Sequence, residues 1–166
     1  MADKSSFTPE EWTLLLRSVM TAGIAVSMAE PSGLWGLLKE GVASAKVLAE
    51  AKIDPGADAL VKAIVGDFDT ATGRSAARDD LKAQFITSKP AEIKQKCIET
   101  LRQVSTLLDA KAPNDAAAFK GWLRHVSQRV AEAANEGGFL GIGGVQVSEA
   151  ERATLAEISG ALGLPP

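Results

Sequence analysis

Chemistry in this chain has few residues to draw on: His125 and Cys97 are its only histidine and cysteine, and tyrosine is absent. A zinc site of the usual His/Cys composition, or a bundle di-iron centre built on paired Glu-x-x-His units, lacks its ligands from the outset. Nucleophilic catalysis by a hydroxyl or thiol would rest on one imidazole. His125 keeps step with Trp122 and Val126, so the spacing predicts a partly buried helix histidine. Cys97 keeps step with Ile93 and Leu101 and has only Lys94 and Lys96 as sequence-near cations, which predicts a core thiol rather than an activated nucleophile.

Carboxylates are the remaining candidates. Asp67-Phe68-Asp69 resembles the paired aspartates of haloacid-dehalogenase-like phosphatases, which follow a strand and have a hydroxyl residue two places beyond the second acid. That place is Ala71 here, and the preceding Leu60, Val61, Ile64 and Val65 have helical spacing, so a polar helix end is the stronger reading. Glu132, Glu136, Glu149 and Glu151 flank a glycine-rich stretch and are weak candidates for a divalent cation with oxygen ligands. Capping and solvation account for Glu149 and Glu151 without a metal. These readings leave no catalytic residue and no cofactor to be expected.

The stretch Gly137 to Gly144, Gly-Gly-Phe-Leu-Gly-Ile-Gly-Gly, holds five of the fifteen glycines. Backbone N–H groups in such a loop could approach a phosphate at the helix that follows. No strand precedes it and no Lys-Ser/Thr pair closes it, so the phosphate motifs are incomplete. Gly138, Phe139, Leu140 and Ile142 are instead the candidates for ligand or partner contact, together with Trp35 in the turn Gly33-Leu34-Trp35-Gly36. A tryptophan on a turn suits a partner surface.

The elements that must position these residues are helices. Thr8-Pro9-Glu10-Glu11 reads as a hydroxyl cap, a proline at the first helical position and a capping box. From Trp12 through Leu15, Leu16, Val19, Met20, Ile24 and Val26 the apolar stripe is so wide that this helix belongs at the centre of the fold, ending near Glu30-Pro31. A second helix runs from Leu34 to about Lys52. Asp54-Pro55 announces a third, carrying Leu60, Val61, Ile64 and Val65, and Gly73 restarts the chain into a short charged one with Ala77, Leu81 and Phe85 inward. Ser88-Lys89-Pro90 opens a fifth with Ile93, Cys97, Leu101, Val104 and Leu108. Ala112-Pro113 breaks it, and Phe119, Trp122, Leu123, Val126 and Val130 define a sixth. Ser148-Glu149-Ala150-Glu151 caps the last, with Leu155, Ile158 and Leu162 on its inner face.

With 46% hydrophobic residues, 23% charged and a net charge of -3, the chain is a globular domain without the basic patch that nucleic-acid binding needs. The lone cysteine and the absence of a basic-then-apolar leader predict a cytoplasmic protein. The charge-free run from Ser18 to Ala29 is too short for a membrane span, which takes about 20 residues.

Two distant segments echo each other. Leu16-Arg17-Ser18-Val19 matches Leu123-Arg124-His125-Val126, each preceded by aromatic residues and each leading to an acid before a glycine turn, at Glu30 and Glu136. Beyond it, Ala134-Asn135-Glu136-Gly137-Gly138 followed by Val147-Ser148-Glu149-Ala150-Glu151, Leu155 and Ile158 resembles the repeated unit of the TerB-like tellurite-resistance proteins. That resemblance implies two pseudo-symmetric all-helical halves and a bacterial stress-response role. The family's turn reads Asp-Gly where this chain has Glu136-Gly137 and inserts Phe139-Leu140-Gly141-Ile142, which argues against carrying over an acidic metal site.

The sequence thus predicts an all-α single-domain bundle of about seven helices over residues 8–163, behind a disordered segment 1–7, with two helix-turn-helix halves if the echo is a duplication. Its expected function is non-enzymatic binding of a protein partner, with homo-oligomerisation compatible with that role. A small-molecule or lipid carrier with an apolar pocket between the first helix and residues 137–144 is the alternative, and a divalent-cation-dependent enzyme using carboxylates the second.

Overall fold

Thr8 starts the first helix as its spacing predicts. Its hydroxyl accepts from the Glu11 N–H and the Glu11 carboxylate accepts from the Thr8 N–H at 2.7 Å, so two otherwise orphaned donors are satisfied reciprocally. The computed structural model describes residues 1–29, 44–135 and 147–166. Within them the chain forms seven α-helices and no strand: α1 (Pro9–Ser27), α2 (44–53), α3 (Ala59–Phe68), α4 (Ala71–Phe85), α5 (Pro90–Lys111), α6 (Pro113–Asn135) and α7 (Glu149–Ala161). No helix among the described residues is long and apolar enough to cross a membrane.

α1 is the central helix. It packs against α4, α5 and α6 most extensively and also meets α3 and α7. Leu15, Leu16, Val19, Ala22, Ala25 and Val26 are buried in one core cluster with Leu60 and Ile64 of α3, Leu101 and Leu108 of α5, Phe119, Leu123 and Val130 of α6, and Ile158 and Leu162 beside them. Lys111 at the end of α5 reaches Glu11 at the start of α1, so these two run antiparallel, and α6, which follows α5 directly, runs parallel to α1.

The α1–α6 seam is made of small residues. Ser127 Oγ donates to the Ala22 carbonyl at 2.9 Å, and a Cβ on Gly23 would lie 3.5 Å from Val130. Aligning Leu16 with Leu123 sets Gly23 level with Val130, so the two echoing helices lie side by side in the register of the echo itself. The turns that would complete the two halves fall in residues 30–43 and 136–146, outside the described residues.

Three expectations change. The third helix is capped by Asp58, not by Asp54-Pro55: Asp58 Oδ1 accepts from the Leu60 and Val61 N–H groups, while the Asp54 carboxylate is used locally by the Gly56 N–H. Thr70, three residues before Gly73, caps α4. Within segment 1–7 a 3₁₀ turn at Lys4–Ser6 is capped by Asp3, and Ala2 and Phe7 are buried. His125 is exposed. It sits beyond Trp122, itself at the edge of the buried stripe Phe119, Leu123, Val126 and Val130, and one helical turn further along that edge leaves the core.

The chain end follows its sequence signal. Ser148 and Glu151 form the second capping box, and Gly163 takes φ of +69°. The Leu164 N–H returns to the Ser159 carbonyl and the Gly163 N–H to that of Gly160, the Schellman closure that a left-handed glycine permits.

Candidate functional site

Of the candidate carboxylates, Asp67, Asp69, Glu132 and Glu151 are engaged elsewhere. Asp67 Oδ2 accepts from Lys4 Nζ at 2.8 Å and from Trp12 Nε1 at 2.6 Å, and Asp69 Oδ2 accepts from Lys52 Nζ at 2.5 Å. The two acids therefore serve different cations at the end of a helix, without the strand that the phosphatase pattern needs. Burial works to raise the Asp67 pKa, but the hydrogen bonds from Lys4 and Trp12 outweigh it and hold the carboxyl below the usual range. Cys97 is fully buried, and burial pushes its thiol up to about 12, the opposite of an activated nucleophile.

Glu132 is held by Arg129 at 3.1 Å and by Gln128 at 3.0 Å. Glu149 is exposed in the first turn of α7, and Glu151 is buried in its capping box. Glu136 lies outside the described residues, as do Trp35, Gly138, Phe139, Leu140 and Ile142. Among the described residues no group of three or more His, Cys, Asp or Glu side chains is placed to hold a metal ion. The carrier reading sets its pocket between α1 and residues 137–144. The latter are not described, and the apolar side chains Leu15, Val19 and Val26 of α1 are packed in the core.

The structure instead assembles a groove that the sequence does not announce, of about 270 Å³ between α2, the 54–58 turn, the start of α3 and α6. Val47, Glu50 and Ala51 of α2, with Asp54 just past its end, line it at the i, i+3, i+4, i+7 spacing of one helix face. Ala118, Trp122 and His125 do the same on α6, and Asp58 and Val61 close the α3 side. Val47, Ala51 and Val61 are buried and form an apolar floor. Trp122 is fixed by an edge-on contact with Phe119, ring centroids 5.5 Å apart.

Electrostatics give this groove a sign. Glu50, Asp54 and Asp58 make no ion pair with any described residue, while Lys52 is turned to Asp69 and Lys62 to the Pro55 carbonyl. Trp122 Nε1 is buried without a hydrogen-bond partner, a state that costs about 1–3 kcal/mol for a polar group kept from water. An apolar floor, an indole and three carboxylates without an ion-pair partner among the described residues are therefore set around one concavity. The chemistry of such a set suits a cation carried on an apolar stem, through charge, burial and stacking on the indole.

No family model matches the chain, and neither does any curated protein or solved structure.

Proposed function

We propose that this chain is a non-catalytic interaction module that binds a basic segment of a protein partner in the α2–α3–α6 groove. The observation that carries the reading is the coincidence of three acids without an ion-pair partner among the described residues, Glu50, Asp54 and Asp58, with the apolar floor and Trp122 in one concavity. A lysine or arginine side chain would lay its methylene stem on Val47 and Val61 and bring its charge to the acidic rim. Interface cores favour aromatic anchors of this kind, and complementary charge adds selectivity and encounter rate.

The TerB-like, bacterial stress-response component of this proposal rests on residues 134–151, of which the Ser148 capping box and α7 belong to the described structure. A cytoplasmic setting is part of the same proposal. The test is calorimetry with an alternating arginine-leucine peptide and its glutamate-leucine counterpart. The arginine peptide binds, binding weakens as salt rises because rim charges are screened, and Glu50→Lys with Asp54→Lys weakens it by roughly tenfold or more. Equal binding of the two peptides, or no effect of the double charge reversal, contradicts the proposal.

A further inference from the structure

The α2–α3–α6 groove holds one side chain of a type that changes charge near neutral pH. His125 is the chain's only histidine, it is exposed, and it lines the groove together with Glu50, Asp54 and Asp58. It stands three residues past Trp122, and helix side chains at that spacing are neighbours with Cβ atoms about 5–6 Å apart. In a groove of about 270 Å³, a cation seated by the indole therefore lies within the screening length of about 8 Å at physiological salt and meets whatever charge the imidazole carries.

Around the groove, α2 adds Lys46 and Lys52, α3 adds Lys62, and α6 adds Arg124 and Arg129. Lys52 is occupied by Asp69, Lys62 by the Pro55 carbonyl and Arg129 by Glu132. Carboxylates, lysines and arginines ordinarily hold their charge between about pH 5 and 8, whereas histidine becomes a cation on mild acidification.

We propose, resting on the reading of this groove as a site for a basic segment, that His125 makes its occupancy pH-dependent: the neutral imidazole admits the segment and the protonated one expels it. The imidazolium repels an incoming lysine or arginine head and offsets part of the acidic rim that attracts it. Linkage fixes the converse, since a bound cation disfavours protonation and the imidazole of the complex then titrates at lower pH than that of the free chain.

The test is ¹H NMR of the full chain from about pH 5 to 8, following the His125 Cε1–H resonance, free and saturated with the arginine-leucine peptide, its ends blocked. Calorimetry at about pH 7.5 and about pH 5.5 accompanies it. The peptide binds at the higher pH and weakens by roughly threefold or more at the lower. The His125 titration midpoint falls in the complex to match, by about half a pH unit for each threefold. His125→Gln, at an exposed position, binds equally at both pH values, and His125→Arg binds more weakly than the wild type at the higher one. Equal binding of the wild type at both pH values with an unmoved midpoint overturns the switch and leaves the groove reading standing. A loss on acidification that His125→Gln retains in full assigns it to the carboxylates and overturns the switch as well. No binding at either pH overturns the groove reading and the switch with it.

Discussion

Asp67 ties the N-terminal segment to the bundle, because its one carboxylate oxygen receives both Lys4 and Trp12. Its pKa in the folded chain lies below the ordinary value of 3.8, so the stabilisation it gives is fully present above that value and is lost as pH falls through the folded pKa. The urea midpoint of the wild type should hold steady from neutral pH to about 5 and drop below about 4. Asp67→Asn should start lower at neutral pH and lose less on acidification. A parallel shift of both curves would assign the acid sensitivity to other groups. Cys97 carries a second expectation. With its thiol fully buried and pushed up to about 12, it should resist iodoacetamide in the folded chain at pH 8 and react once urea unfolds it. Labelling of the folded chain at the rate of a free thiol would contradict its placement. The inward phase of Cys97 was readable from its neighbours Ile93 and Leu101, since spacing alone decides it. That of His125 was not, because a residue at the border of a helix stripe is buried or exposed according to whether a neighbouring helix covers it.

Helix ends and junctions were largely legible, since capping is local chemistry. The boxes at Thr8 and Ser148 need only a hydroxyl and a glutamate three residues on. The misplaced cap at Asp54 shows the limit: Asp54 and Asp58 both precede helix-compatible residues, and the competition is settled by Gly56, which disfavours a helical first turn, and by the apolar Leu60 and Val61 that only the later start sends into the core. Arg17 is the counterexample on α1. A charged residue in an apolar stripe gave no sign that α4 would bring Asp80 to it. The α3–α4 junction makes a sharp prediction. A Cβ on Gly73 would sit 2.1 Å from the Asp67 carbonyl oxygen and 2.8 Å from its carbon, and backbone cannot swing aside as a side chain can. Gly73→Ala should destabilise the fold by about 1–3 kcal/mol. Gly121, on the exposed side of α6, has nothing within 4 Å of such a Cβ, so Gly121→Ala should stabilise by about 0.4–1 kcal/mol through the unfolded chain. Thermal unfolding of the two variants checks the pair, and an equal response at both positions would contradict the junction geometry.

The chain as a whole is organised around α1, with α6 parallel to it and the remaining described helices packed on that pair. The groove arises from this arrangement. Val47 to Val61 and Ala118 to His125 are far apart in sequence, and nothing local marks Glu50 or Trp122 as partners. Only the packing of α6 beside α2 and α3 brings them together, which is why the sequence pointed to Trp35 and residues 138–142 instead. Fold class was readable because apolar periodicity is local; the groove was not, because it is a property of the assembled bundle. The most direct measurement is an ¹⁵N NMR titration of the full chain with the arginine-leucine peptide, mapping every amide and the Trp122 indole N–H. Binding in the groove predicts shifts concentrated in residues 47–61 and 118–125, with the Trp122 indole among the largest, and their loss in the Glu50→Lys, Asp54→Lys chain. Shifts concentrated elsewhere on the bundle, or an unmoved Trp122 indole at saturation, would contradict it.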